Sequence, residues 1–442
     1  MRFSLNIDIK DILSNYGFQV LGVMQFSKFG EKFNRYSGIT RLMDDLNEGL
    51  RTPGAIMLGG GNPAAIPEML NYFHQATQEM LNNGELVSAL GNYDGPQGKN
   101  TFLTALTVLL RETYGWDISE KNISLTNGSQ SAFFYLFNLL AGQQSDGSHK
   151  KILLPLAPEY IGYSDAGIDD DIFVSYRPDI ELLDNRMFKY HVDFEQLQVD
   201  DSIAAICVSR PTNPTGNVLT DTEIVKLDQL AQDKGIPLII DNAYGTPFPN
   251  IIFEEVTPFW NTNTILCMSL SKLGLPGIRC GIVIANEVVT QALTNINGII
   301  SLAPGGFGPA IAKHMIDSGD LLRLSTTVIK PFYQERAEFA VTLLQSAIRD
   351  PRFKIHKPEG AIFLWLWFDD LPISTMELYE RLKARGVLIV PGDYFFFGQK
   401  KDWQHAHQCL RMNYVQDQTK MRAGITIIAE EVNKAYANHV IG

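Results

Sequence analysis

The sequence predicts an α/β fold: a large domain built on a mostly parallel seven-stranded sheet, followed by a smaller α+β domain. Three observations carry that expectation. From about residue 120 onward, seven short apolar runs alternate with helical patterns, as strands covered on both faces do. Past residue 300 the texture changes to long helical stretches broken by isolated strands. A length of 442 residues with 45% hydrophobic side chains exceeds one ordinary core and suits two closely joined domains.

The elements follow in chain order. Asp8, Lys10 and Asp11 interrupt any apolar stretch at the start, so no signal peptide is expected. Residues 1–23 precede a second methionine, Met24, and are read as an N-terminal extension. Residues 24–60 form an arm that joins the small domain. Within it, Ile39, Leu42, Met43, Leu46 and Leu50 recur at helical spacing and predict a helix over 31–50. The turn Gly59-Gly60-Gly61-Asn62-Pro63 leads into the large domain, 61–318. Its strands are expected at 123–126, 151–155, 171–176, 204–209, 237–241, 264–269 and 280–285. Thr220 and Glu223 make a capping box for a helix over 221–234 that closes near Gly235. The polar stretch 142–150 is a surface loop. The small domain, 319–442, opens with an interdomain helix over 319–348. Strands at 361–367, 387–390 and 409–414 follow, with helices at 375–385 and 418–438.

Composition excludes several functions. A net charge of −12 disfavours nucleic-acid and anionic-membrane partners, which reward basic surfaces. No run of about 18 uncharged apolar residues exists to span a membrane. Cys207, Cys267, Cys280 and Cys409 are scattered without CxxC spacing, so neither a disulfide framework nor a zinc site is expected, and a reducing, cytoplasmic setting suits them. His405 and His407 lack the further ligands a metal needs and are read as loop histidines. Gly98-Lys99 fails as a nucleotide phosphate loop, because Tyr93 stands where the first glycine belongs and Asn100 where Ser or Thr belongs.

Chemistry-bearing residues gather at strand exits. In Ser269-Leu-Ser271-Lys272-Leu-Gly-Leu-Pro-Gly-Ile-Arg279, a lysine follows an apolar strand, two serines flank it, and an arginine comes seven residues later. Serines and arginine can grip a phosphate, the arginine through its planar fork of donors. Asp241 ends the apolar strand 237–241, where an unpaired carboxylate is costly and a cationic ring nitrogen is a suitable partner. Tyr244 lies three residues on. Arg210-Pro-Thr-Asn213-Pro-Thr-Gly216 is another strand exit. Asn127-Gly128-Ser129-Gln130 opens an apolar helix whose first N–H groups form an anion site. Tyr160 follows the strand 151–155 and can stack on a ring. Taken singly, each of these has a bland reading as a turn, a cap or a rim residue.

Together they resemble one family. The order glycine turn, Tyr-x-x-x-x-Gly, Gly-Ser-Gln, Pro-x-Tyr, Asn-Pro-Thr-Gly, Asp-x-x-Tyr and Ser-x-Ser-Lys, with a late arginine, is similar to that of the class I/II aminotransferases of fold type I. The resemblance runs from about Phe26 to the C-terminus. It implies a pyridoxal 5'-phosphate enzyme in which Lys272 holds the cofactor and moves the substrate proton. Asp241 would pair with the ring nitrogen, Tyr244 and Asn213 would hold the ring hydroxyl, and Tyr160 would stack. Ser129, Gln130, Ser269, Ser271 and Arg279 would bind phosphate, and Arg411 with Gly61 and Asn213 would bind the substrate carboxylate. Tyr93 would reach the phosphate of a neighbouring subunit, which implies a homodimer. Amino-acid and 2-oxo-acid substrates follow from the same resemblance: valine and alanine, with pyruvate and 3-methyl-2-oxobutanoate.

Two departures stand out. The lysine and the arginine lie seven positions apart here where most of the family has eight, and the stretch before Met24 has no counterpart in the pattern. Another donor specificity shares every cofactor motif. A regulator with an aminotransferase-like domain is disfavoured, because the residues ahead of Gly59 are not basic. For the apolar segment 298–305, core packing is expected over a substrate pocket.

Overall fold

The structure, a computed structural model, describes residues 25–35, 40, 44, 49 and 51–438. The chain divides into two compact units, Met1–Ser37 and Gly38–Gly442. Of the first unit, the described part is a short helix α1 (Lys28–Phe33), started by Ser27, whose Oγ accepts from the Gly30 N–H at 3.2 Å. The extension 1–23 lies outside the described residues, as does most of the helix expected over 31–50.

In the second unit the chain runs β1 (Ile56–Met57), α2 (Pro67–Asn82), α3 (Glu85–Gly91), α4 (Asn100–Tyr114), β2 (Ile123–Thr126), α5 (Ser129–Leu140), β3 (Gly142–Gln143), β4 (His149–Leu154) and β5 (Phe173–Ser175). A hairpin of β6 (Asp179–Leu183) and β7 (Met187–His191) precedes β8 (Ile203–Ser209), α6 (Asp221–Asp233), β9 (Leu238–Asp241), β10 (Thr264–Ser269), β11 (Gly281–Ile284), α7 (Glu287–Ile300) and α8 (Phe307–Asp317). Next come α9 (Asp320–Leu324), α10 (Lys330–Ala347), β12 (Phe353–His356), β13 (Phe363–Phe368), α11 (Thr375–Ala384), β14 (Val387–Leu388), β15 (Val390–Pro391), β16 (Cys409–Asn413) and α12 (Gln418–Asn438). A π-helical turn, Ser325–Ile329, joins α9 to α10 without a break, so the long interdomain helix of the sequence is present with one widened turn.

The large sheet runs β2-β11-β10-β9-β8-β4, with β5 and the short β3 both on the outer side of β4. All seven expected runs are in it. β9 is parallel to β8 and β10, and β4 to β8 and β5, whereas β11 runs against both its neighbours. Continuous apolar strands make sense here because both faces are covered. On one face α5 brings Phe133, Leu136 and Phe137 against Ile152, Cys207, Ile239 and Val283. On the other, Ile206, Val208, Ile240, Leu266 and Ile282 belong to the main core. The four thiols are buried and unpaired.

The second sheet runs β15-β16-β13-β12-β7-β6. Two of its strands come from the hairpin 179–191, which the sequence divides into the large domain; β7 pairs parallel with β12 through Ile355 and Met187. The turn at Gly386 feeds β14, which pairs with β1 and carries the glycine turn 59–61 alongside β16. Sequence alternation cannot reveal such a pairing, because it depends on contacts more than 160 residues apart.

The segment 298–305 differs from expectation. Ile299 is 84% exposed, and Ile300 and Leu302 are also exposed, so the segment is neither core nor pocket lining in this chain. It closes α7, and Asn127 anchors it by donating to Ser301 Oγ (3.2 Å) and accepting from the Gly305 N–H (3.2 Å), which leaves the aliphatic side chains facing outward.

Candidate active site

Parallel strands bring their carboxyl ends to one edge, and in open α/β sheets that edge is where ligands bind. Register places Ser209 opposite Asp241, Cys267 opposite Asp241, and both Ser269 and Thr126 opposite Gly281. The exits of β2, β8, β9 and β10 therefore converge. They open into a cleft of about 460 Å³ whose lining includes Gly61, Ser129, Gln130, Tyr160, Asn213, Asp241, Tyr244, Ser269, Ser271, Lys272, Arg279 and Arg411. Twelve of the thirteen residues singled out from the sequence thus meet in one place. The thirteenth, Tyr93, lies elsewhere, its side chain 83% exposed.

Asp241 forms the floor. It is buried, and its carboxylate accepts from the Tyr163 hydroxyl at 2.5 Å and the Ala243 N–H at 3.0 Å. Burial pushes it up to about 6, against the pull of Tyr163, Ala243 and the nearby Lys272. Lys272 Nζ donates to the Gly61 carbonyl at 2.6 Å and lies 5.2 Å from the centre of the Tyr244 ring. Burial, with Arg411 and Arg279 nearby, lowers its amine to about 8, although Asp241 opposes the change. An amine so placed is partly neutral at physiological pH, which a nucleophile or proton carrier requires.

Arg411 comes from the centre of β16, between Trp365 of β13 and Val390 of β15. Phe363 and Phe395 hold its guanidinium at 4.2 and 5.2 Å from their ring centres. It donates to Asn213 Oδ1 (2.8 Å) and the Gly59 carbonyl (2.7 Å), and its buried Nε has no partner. Burial lowers it to about 10. Asn213 Oδ1 is thereby occupied, leaving its amide N–H groups for a ligand. Among the described residues no carboxylate pairs with Lys272, Arg279 or Arg411 in an ion pair, so the cleft carries an excess of positive charge that suits an anionic ligand.

At the other end, Gly128 has φ +91°, and a Cβ there would overlap the Arg279 guanidinium. Glycine at 128 therefore lets Arg279 lie across the start of α5, whose first-turn N–H groups point the same way. Ser269 Oγ accepts from the Ser271 N–H at 3.1 Å, which orders this corner. The Gln130 side-chain amide donates one N–H to the Gly162 carbonyl at 2.7 Å and so holds the turn after Tyr160, while its backbone N–H opens α5.

A phosphate-bearing, cationic aromatic ring fits these residues: a donor-rich corner with Arg279, a buried carboxylate beneath, a tyrosine beside, and a partly neutral lysine. Sequence reasoning missed Tyr163, Glu159 and Ser209 around Asp241, the two phenylalanines around Arg411, and Asn413, which donates to the Gly60 carbonyl at 2.9 Å. The phenylalanines lie in apolar runs and carry no chemical signal. Tyr163 follows Tyr160 by one turn, the only hint available. No group of three or more His, Cys, Asp or Glu able to hold a metal occurs among the described residues.

Comparison with known proteins agrees with this geometry. Residues 71–428 match the family described as aminotransferase class I and II. The chain is 64% identical over 414 residues to valine–pyruvate aminotransferase of Escherichia coli (strain K12), covering 94% of this chain and 99% of that one. The crystal structure of valine–pyruvate aminotransferase from Salmonella typhimurium LT2 superposes with a TM-score of 0.85 at 62% identity, covering 90% of this chain and 100% of that one. Kynurenine aminotransferase of Pyrococcus horikoshii, solved with pyridoxamine phosphate (PMP) and its substrates, shares the fold at 22% identity, with a TM-score of 0.76 over 92% of this chain and 97% of that one.

Proposed function

The chain belongs to the class I and II aminotransferases, and from that premise we propose that it transfers the amino group of L-valine to pyruvate, yielding 3-methyl-2-oxobutanoate and L-alanine, with pyridoxal 5'-phosphate as cofactor. The observation that carries this is a cleft holding Lys272, Arg279 and Arg411 around one buried carboxylate, Asp241, in a chain 64% identical to a valine–pyruvate aminotransferase.

When bound, pyridoxal phosphate supplies an electron-poor ring that accepts the charge left when a proton leaves the substrate α-carbon. The chain's own residues do the rest. Ser129, Ser271, Arg279, the N–H groups opening α5 and, at its edge, Ser269 would hold the phosphate. Asp241, kept in place by Tyr163, would keep the ring nitrogen protonated. Tyr244 and the free Asn213 amide would hold the ring hydroxyl, and Tyr160 would cover one ring face. Arg411, with Asn213 and Gly61, would orient the substrate carboxylate, and Lys272 Nζ would hold and move the proton at the α-carbon. Among the described residues that line the cleft, Arg411 is the one arginine left for the substrate once Arg279 holds the phosphate, which suits a monocarboxylate donor such as valine.

The reading includes a homodimer. Tyr93, Leu90 and Val87 are 83%, 67% and 67% exposed, and Ile299, Ile300 and Leu302 are exposed as well. A Cβ on Gly306 would touch Asp94 and the Ala89 carbonyl, so the two segments pack together. Covering these apolar side chains with a second copy is consistent with the role that the resemblance gives Tyr93, at the partner's phosphate site. Among the described residues no helix is long and apolar enough to cross a membrane, and four unpaired thiols suit a reducing cytoplasm.

The test is the visible absorbance of the purified protein loaded with pyridoxal phosphate. L-Valine should abolish the cofactor band and pyruvate should restore it. A band that ignores valine and answers another amino acid would move the substrate, and no band at all would overturn the cofactor reading.

A further inference from the structure

Glu159 is a buried carboxyl with no role in the scheme above. It is 1% exposed and sits beside the cleft at the exit of β4, next in sequence to Tyr160. Every contact it makes goes to an element that holds an active-site group. Its Oε1 accepts from the Ser209 N–H at 2.9 Å, and its Oε2 accepts from the Ser209 hydroxyl at 2.7 Å and the Tyr160 N–H at 3.0 Å. Its own N–H donates to the carbonyl of Phe395, the ring that backs Arg411. Ser209 is the last residue of β8, opposite Asp241, and the chain leads from it through Arg210 and Pro211 to Asn213.

The Glu159 side chain thus ties the tyrosine that lines the ring site to the strand end that sets Asn213, while its backbone N–H holds the turn that supports Arg411. A smaller residue would leave two backbone N–H groups and a hydroxyl without their acceptor in a site closed to water. We infer that Glu159 is a positioning residue for the ring site: its carboxyl fixes Tyr160 relative to the ends of β8 and β9, and so sets how tightly the cofactor ring is held. The inference rests on the pyridoxal-phosphate reading of the cleft.

Electrostatics favours the same role. Burial, reinforced by the charge of Asp241, pushes Glu159 up to about 8 although Ser209 and Tyr160 pull it down. Near neutral pH it serves as an uncharged acid, and Asp241 remains the charged carboxylate of the pair. An uncharged acid donates to the Ser209 hydroxyl while still accepting both N–H groups. Glutamine reproduces all of this except the contact with the Tyr160 N–H.

The experiment compares wild type with Glu159→Gln and Glu159→Ala. Cofactor affinity is read by fluorescence titration of cofactor-free protein, together with melting temperature and steady-state kcat and KM at saturating cofactor. Glu159→Ala is expected to weaken cofactor binding by about tenfold or more and Glu159→Gln by about threefold, in line with one to three lost buried hydrogen bonds. KM for the amino acid should change less than cofactor affinity. If folded Glu159→Ala binds the cofactor as tightly as wild type, the inference is overturned. Should Glu159→Ala fail to fold, Glu159→Gln decides alone: a threefold loss supports the inference and wild-type affinity overturns it. Wild-type protein that binds no pyridoxal phosphate would instead overturn the cofactor reading itself.

Discussion

Replacing Asp241 by asparagine separates the cost of this residue from its use. In the cofactor-free protein, burial raises its carboxyl from 3.8 to about 6. At about 1.4 kcal/mol per pH unit, holding it ionised above pH 6 costs about 3 kcal/mol of folding stability. The sign follows from proton binding: between pH 3.8 and about 6 the folded state holds this proton more tightly than the unfolded chain does. Stability of the empty wild-type protein should therefore fall as pH rises through that window and stay lowered above it. Asparagine can keep both local contacts, accepting from the Ala243 N–H and donating to the Tyr163 hydroxyl, without the charge. Cofactor-free Asp241→Asn is thus expected to be more stable than wild type at pH 7.5 by up to about 3 kcal/mol, a rise of a few degrees in melting temperature. The advantage should vanish near pH 4. With cofactor the order reverses in function: the variant should gain less stability on binding and lose at least about 10³-fold in transfer rate, since the ring nitrogen has lost its partner. Thermal unfolding at pH 4 to 8, with and without pyridoxal phosphate, measures both. A cofactor-free variant less stable than wild type at pH 7.5, with an undiminished gain on binding, would refute the reasoning.

Three further outcomes are expected. Lys272→Ala should fold and still bind pyridoxal phosphate, but lose transfer by more than about 10³-fold, the scale of a positioned proton carrier; stopped-flow absorbance with L-valine checks this, and turnover near wild type would reject the role. Gly128→Ala should displace Arg279 and force an L-residue into φ +91°, weakening cofactor binding at least about tenfold in equilibrium dialysis and lowering stability by about 1 kcal/mol or more. Cofactor uptake by the empty protein should speed up with pH and level off above about 8, because only the neutral Lys272 amine reacts and its protonated form prevails below that value; a rate independent of pH between 6 and 9 would count against it.

Much of the site was legible because its chemistry is local in sequence. A lysine, a carboxylate and a glycine-serine turn each stand at the end of an apolar strand, and parallel strands bring their ends together whatever the detail of packing. Lys272, Asp241, Ser129 and Asn213 therefore stand out at strand exits, and the family resemblance assigns them to one cleft. Seven of the eight strands of the large sheet were legible for a related reason, since burial on both faces leaves uninterrupted apolar runs, whereas the short β3 falls in a polar stretch read as a loop. The helix 221–233 announced itself through the capping box of Thr220 and Glu223, which the structure contains.

Tertiary structure alone decided the rest. Nothing in the run 179–191 says that its hairpin crosses to the second sheet, because alternation marks a strand without naming its neighbour. Only the fold sets Phe363 and Phe395 around Arg411, turns the Gln130 amide onto Gly162, and leaves Ile299 in the open. The same is true of Glu159. Its sequence neighbourhood reads as a loop, and its role emerges only where Ser209, Tyr160 and Phe395 close around it. Sequence records which groups are available and the local geometry they prefer, whereas the burial and partners that set their charge arise from segments brought together across the whole chain.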